Sequence, residues 1–422
     1  MTTLAIGFVL IALLVGLVLL GLQIAYALFA VGFLGIWIIR GNIDLAFRMM
    51  ELTAYSGIAD YLFATIPLFV LMGLLVSVSN VGRDTFEVAE ELLRRVLCGL
   101  GVATVAANTI FAAVTGVSIA SAAVFTRVAV PEMTRHGYRP AFAAGTVAGS
   151  SVLGMLIPPS LLLIIYGVLA EVSIGGMFIA GLIPGMLLAI GFVAMLMGIS
   201  VLFPGFVYTD PQAARVKRLD RSGPKMSAAT MLGKLIPIIL LVFLVLGGLY
   251  SGFFTPTEAG GIGAFGALII ALWRRSLGGG KMWQVMKQTG AISVAILVLL
   301  IAASYYSRML SIAGLPNAIA DLVRAGGFSP LGFLMFYSVI ILLMGMILDS
   351  TSILLIMVPI AAPIAQGLGI DLSHFGIITV LAVDDPNVTV EQIFAATLPF
   401  IGVMLLVLLV VALVPSTATA LL

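Results

Sequence analysis

The stretch from Gly99 to Pro131, GLGVATVAANTIFAAVTGVSIASAAVFTRVAVP, decides the fold. It holds about 33 residues, too many for one ordinary membrane span of roughly 20 and too few for two complete ones. Thr115-Gly116-Val117-Ser118 places two hydroxyls and a glycine at its middle. This pattern predicts a re-entrant hairpin, entering and leaving by one membrane face, with that segment as its tip. Non-helical backbone at membrane depth is tolerated only where protein or a watery cavity surrounds it. A second stretch of the same length, Leu331 to Pro363, carries Asp349-Ser350-Thr351-Ser352 at the equivalent place. Shifting the sequence by 232 residues lays Ser118 on Ser350, Pro131 on Pro363 and Gly137 on Gly369, and lays Tyr61–Ser79 on Ser293–Ser311. An odd number of crossings separates the two stretches, so the hairpins enter from opposite faces, as in the inverted-topology repeats of many secondary transporters.

The composition around these stretches agrees. Of 422 residues, 62% are hydrophobic and 9% charged, against about 45–50% and 25% in a soluble domain. A water-soluble globule is excluded, and unbroken apolar runs such as Leu235 to Tyr250 do not alternate as barrel strands do. The chain therefore reads as an all-α polytopic membrane protein, with the lipid bilayer as its solvent. One cysteine, Cys98, and two distant histidines, His136 and His374, argue against disulfide and zinc chemistry. The net charge of +2 is small and its basic residues lie in loops, so nucleic acid is not an expected partner. The first apolar segment lacks a basic n-region and is read as a permanent span.

The expected organisation is 1–60 as N-terminal scaffold spans, 61–205 as a first repeat with its hairpin at 99–133, and 206–232 as a basic cytoplasmic loop. Central scaffold spans follow at 233–287, and a second repeat occupies 288–422 with its hairpin at 331–365. The loop holding Arg215, Lys217, Arg218, Arg221, Lys225 and Lys234 and the loop holding Arg274, Arg275, Lys281 and Lys287 are separated by two spans. The positive-inside rule puts both in the cytoplasm. Arg83 to Leu97 alternates charge with apolar residues and is expected to be an interfacial amphipathic helix.

Three motifs bear on chemistry. At the first tip, hydroxyls and a glycine amid apolar residues suit cation coordination by backbone and hydroxyl oxygens, with helix N-termini attracting an anion. They suit equally the close packing of small residues. Second, Gly149-Ser150-Ser151-Val152-Leu153-Gly154-Met155-Leu156-Ile157-Pro158-Pro159-Ser160 ends in two prolines that remove two amide donors, so a helix must break there and free carbonyls near Gly154. A plain structural kink is the competing reading. Third, Asp349 at membrane depth costs roughly 2.5 kcal/mol or more unless it meets a cavity, a counter-charge or a cation; it also suits a helix N-cap. Arg127 and Arg308 are read as snorkelling to an interface rather than binding substrate, and Glu258 after Thr255-Pro256-Thr257 as part of a capped helix start. No glycine-rich phosphate loop with a Lys-Ser or Lys-Thr ending is present, so an ion gradient is the simplest energy source.

On Ile66-Pro67-Leu68-Phe69-Val70-Leu71-Met72-Gly73, Pro131-Glu132-Met133, Leu156-Ile157-Pro158-Pro159-Ser160, Thr255-Pro256-Thr257-Glu258-Ala259 and His374-Phe375-Gly376-Ile377-Ile378, the chain resembles the large membrane subunit, DctM type, of tripartite ATP-independent periplasmic (TRAP) transporters. The resemblance covers nearly the whole chain. It implies a sodium-coupled importer in the bacterial inner membrane, with an elevator-type fold like that of the ion transporter superfamily and a discontinuous helix in each repeat. It also implies a small four-helix membrane subunit and a periplasmic substrate-binding protein as partners, and a carboxylate-bearing organic acid as substrate. By position it implies one sodium site at Thr115, Gly116 and Ser118 with the backbone of Gly154, Ile157 and Pro159. A second would involve Asp349, Ser350 and Thr351, and Ser150 and Ser151 are expected to face the substrate.

Two departures stand out. Val117 removes a hydroxyl from the usual Ser-Gly-Ser-Ser tip. Positions 390 and 391, where the repeat should bring a second Thr-Pro-Pro break, are Val390 and Glu391. The apolar run Phe375–Val383 before them is about 14 Å long as a helix, far short of a core about 30 Å thick. On that arithmetic the chain is roughly 20 residues short after Val383. Competing functions are a carboxylate or ion symporter that needs no periplasmic protein, and an intramembrane enzyme. The enzyme would need a paired catalytic constellation, and Asp349 has no histidine near it in the sequence.

Overall fold

The computed structural model describes residues 3–210, 212, 226–345, 348–383 and 391–422. Among these it is helical, with one isolated bridge between Tyr138 and Tyr208 and no extended strand. Among the described residues, eight helical segments are long and apolar enough to cross a membrane, with Pro140–Leu169 taken as one across its break. The first three helices are α1 (Thr3–Leu19), α2 (Ile24–Arg40) and α3 (Ile43–Ala59). Helix α3 begins at Asn42, whose side chain accepts from the Leu45 amide at 3.2 Å, and carries Asp44, Arg48 and Glu51. These charges interrupt the apolar pattern, and the sequence reading did not anticipate this helix.

Helix α4 (Thr65–Val78) leads to α5 (Val81–Leu93), the expected amphipathic connector. The first hairpin follows as α6 (Gly99–Thr115) and α7 (Ser118–Arg135), broken at Gly116 and Val117. Next come α8 (Pro140–Ser151), the short α9 (Leu153–Leu156), and α10 (Leu161–Leu169), with the double proline between the last two. Helices α11 (Ile174–Leu202) and α12 (Pro204–Val207) end this half. The central spans are α13 (Ala228–Val242) and α14 (Pro256–Trp273).

Helix α15 (Lys281–Ala313) runs 33 residues, about 50 Å, and starts well before the expected Thr289. A second connector, α16 (Leu315–Ala325), joins it to the second hairpin, α17 (Pro330–Gly345) and α18 (Ser350–Gly367). Helices α19 (Leu372–Val383), α20 (Glu391–Leu413) and α21 (Ser416–Thr419) close the chain.

The 232-residue repeat is visible in helix ends. Shifted by that amount, α7 falls on α18 and α8 on α19, end to end. Helix α8 continues into α9, the break and α10. The continuation of the 12-residue α19 falls on 384–390, outside the described residues, as do the roughly 20-residue shortfall and the first position of the expected second break, Val390; the second, Glu391, begins α20. Helix α20 packs against α8 and α11.

Ion pairs show which ends share a face. Arg274, just past α14, pairs with Asp84 of α5; Lys234 of α13 pairs with Glu87 and lies 3.8 Å from Asp84. The mouth of the first hairpin joins the same side through Arg139 N–H to Val207 O at 2.9 Å and Thr209 N–H to Gly137 O at 3.0 Å. Lys281 starts α15 on this basic side, and α15 delivers the chain to the opposite face, where α16 leads into the second hairpin. The two hairpins thus open from opposite faces.

Candidate functional site

Gly116 ends α6 in the left-handed region, with φ of 63°, which lets the chain turn directly into Val117 and α7. It also touches the double-proline break. Gly116 O accepts from the Leu161 amide at 3.1 Å, and a Cβ at Gly116 would overlap the carbonyl oxygen of Pro159. Gly154 lies against the same tip, since a Cβ there would stand 3.4 Å from Ser118 N and from Val117 C. The prolines deny Ile157–Ser160 a helical path, and Ser160 restarts the chain by capping α10, its hydroxyl accepting from Leu163 N–H while donating to Met155 O. Helix α11 leaves room for the break through Gly181, facing Leu156 O at 2.7 Å from a built Cβ, and Gly185, facing Ile157.

The structure therefore brings Thr115, Gly116, Ser118, Gly154, Ile157 and Pro159 into one contiguous place. Thr115 is buried and donates to Phe111 O at 3.0 Å. Ser118 is 9% exposed, and its hydroxyl makes no hydrogen bond among the described residues. The N-termini of α7, which has no side-chain cap, and of α10 converge here, so two positive dipole ends stand beside carbonyl and hydroxyl oxygens. Such a site can hold a small hard cation in its oxygens and draw an anion to its amides.

Ser150 and Ser151 are placed differently from expectation. Ser150 is fully buried; its hydroxyl donates to Thr146 O at 2.6 Å and accepts from Asn108 Nδ2 at 2.5 Å. Asn108 Oδ1 in turn accepts from the Ser121 hydroxyl. This buried triad ties α6, α7 and α8 together beneath the tip, leaving Ser150 no surface on which a substrate could rest. Ser151, 7% exposed, donates to Ala148 O at 2.7 Å. Asn108 was missed by the sequence reading; its signal was a single amide within an apolar run.

Asp349 caps α18, accepting from Ser352 N–H at 3.2 Å and from the Ser352 hydroxyl. It is exposed, with Ser350 and Thr351 half-buried beside it. These three share a helix N-terminus, but the described residues bring no second break to them. Elsewhere, Glu90, Glu132 and His136 place one ligand atom each within 4.8 Å of one another. Glu132 is already engaged there by Arg135 at 2.7 Å and His136 at 3.2 Å. On the connector, burial opposes the charge of Glu87, but hydrogen bonds from Lys234 and Arg83 outweigh it and hold this carboxyl below its ordinary range.

The family model for the tripartite ATP-independent periplasmic transporter, DctM component, matches residues 10–385. The chain belongs to that family. The C4-dicarboxylate TRAP transporter large permease protein DctM of Pseudomonas aeruginosa is 31% identical over 395 residues, covering 89% of each chain. The isethionate TRAP transporter permease protein DctMQ of Oleidesulfovibrio alaskensis is 29% identical over 384 residues, covering 86% of this chain and 58% of that longer one. The crystal structure of the Alcanivorax borkumensis YdaH transporter shares the fold, with a TM-score of 0.62 at 16% identity over 89% of each chain. A DctM-family chain is a transporter permease subunit, not an enzyme.

Proposed function

We propose that this chain is the large membrane subunit of a sodium-coupled TRAP transporter of the bacterial inner membrane, importing an organic acid with a carboxylate group. A periplasmic binding protein delivers the acid, and a small four-helix membrane subunit completes the assembly. Family membership supports both partners, and the relative named DctMQ is a single longer chain. The relatives named for a C4-dicarboxylate and for isethionate both point to a small organic anion.

The observation that carries this reading is the junction of hairpin tip and helix break, through Leu161 N–H to Gly116 O and the contact of Gly154 with Val117–Ser118. In this reading sodium sits among the oxygens of Thr115, Gly116, Ser118, Gly154, Ile157 and Pro159, and the substrate carboxylate faces the converging N-termini of α7 and α10. Asp349, Ser350 and Thr351 form the second cation locus. A transport unit carrying both hairpins slides as an elevator against a scaffold built around α14, α4, α15 and α2, which pack in that order. Reconstituting both membrane subunits in proteoliposomes and omitting the binding protein tests the tripartite reading. Uptake should fall to background; undiminished uptake would establish the symporter that works without it.

A further inference from the structure

A cavity of about 580 Å³ opens beside the first hairpin, bounded by the end of α4, the start of α5, the outer face of α7 and the first turns of α15. Its polar lining is Asn80, Arg83, Arg127, Lys281, Gln284 and Gln288, apart from Ser77, and no acidic residue lines it. The Arg83 charge is answered by Glu87 at 2.9 Å. Arg127 and Lys281 make no ion pair among the described residues, so two cations are left facing one space with amide donors around them.

The cavity lies on the basic side, because Lys281 begins α15 there. Ile119 is 78% exposed, and Ala123 and Arg127 are exposed after it at four-residue spacing, so one open face of the helix runs from the tip into the cavity. A snorkelling arginine would explain Arg127 alone. It would not explain why Lys281, from a distant part of the chain, lines the same cavity without an ion pair among the described residues.

We propose that this cavity is a cytoplasmic anion vestibule, in which Arg127 and Lys281 receive the carboxylate of the organic acid as it leaves the hairpin tip. The inference rests on the transport reading above and adds a release station to it. The volume suits a small organic acid, and two unpaired cations in a recess raise the local concentration of anions. A lipid phosphate offers related chemistry, so the test must separate the two sources.

The test introduces Ala123→Cys into the full chain reconstituted in phosphatidylcholine vesicles; the native Cys98 is buried and stays silent. Reaction rates are measured with a sulfonate-bearing and a trimethylammonium-bearing methanethiosulfonate, each normalised to free mercaptoethanol. From the cytoplasmic side the anionic reagent should be favoured by about tenfold. Adding Arg127→Gln and Lys281→Gln should bring the ratio close to one while the thermal midpoint holds, and millimolar succinate should slow the anionic reagent in the parent protein. Equal normalised rates in the parent would overturn the vestibule. So would protection that appears only when phosphatidylglycerol is added and never with succinate, which would assign the cavity to a lipid headgroup. The labelling needs no transport, so charge selection in a protein without sodium-driven uptake would sink the transport reading and leave the anion site standing.

Discussion

Replacing Gly116 with alanine probes the junction on which the functional reading depends. At φ of 63° an L-residue pays about 1 kcal/mol or somewhat more for the left-handed conformation. The added Cβ would also overlap the carbonyl oxygen of Pro159, a backbone atom that cannot swing aside as a side-chain end could. Relieving that overlap separates tip from break, at about 1–3 kcal/mol on the scale of overpacked interiors. Gly137 supplies the control. Its φ is 86° and nothing lies within 4 Å of a built Cβ, so Gly137→Ala carries the conformational cost alone. Thermal midpoints of the purified variants, read at one scan rate in sodium chloride and in choline chloride, should show Gly116→Ala several degrees below Gly137→Ala. The upward shift with sodium should shrink in Gly116→Ala only, because a ligand stabilises in proportion to its affinity for the folded form. Equal midpoints and equal sodium shifts in the two variants would refute the reasoning.

Asn108→Ala removes the centre of the buried Asn108–Ser121–Ser150 triad and should cost about 1–3 kcal/mol, since the serine hydroxyls cannot reach water; a wild-type thermal midpoint would count against it. Asp349→Asn keeps a good capping side chain, so the midpoint should hold while half-maximal sodium for uptake rises; unchanged sodium activation would remove Asp349 from the cation sites. The Glu87 pairs give a pH dependence of definite sign. Its folded pKa lies below the ordinary 4.5, so its contribution is complete above that value and fades as pH falls through the folded pKa. A midpoint series through that acid range should show a loss that Glu87→Gln lacks, and parallel curves would contradict the clamp.

Both hairpins were legible in the sequence because the length of an apolar run and the position of its polar residues are local facts. The double proline announced the break for the same reason, since two missing amides stop a helix in any surroundings. Contacts between distant segments were not legible. Nothing local says that the Asn108 amide meets Ser150 rather than a substrate, or that Arg127 and Lys281 share a cavity. Helix α3 escaped because Asp44, Arg48 and Glu51 break the apolar pattern by which spans are recognised. The extra length of α15 was hidden similarly, as Lys281, Gln284 and Lys287 look like loop residues until the helix places Lys287 over the Trp283 ring at 5.5 Å. The N-cap reading of Asp349 was available from Asp349-Ser350-Thr351-Ser352 alone, because a cap is a local hydrogen bond.

In the proposed reading a sodium gradient drives this subunit. The most direct measurement is uptake of labelled substrate into proteoliposomes holding both membrane subunits and the loaded periplasmic protein, without ATP, under an imposed inward sodium gradient or an equal choline gradient. Accumulation with sodium and only background with choline is the predicted result; equal accumulation under both gradients would contradict the account.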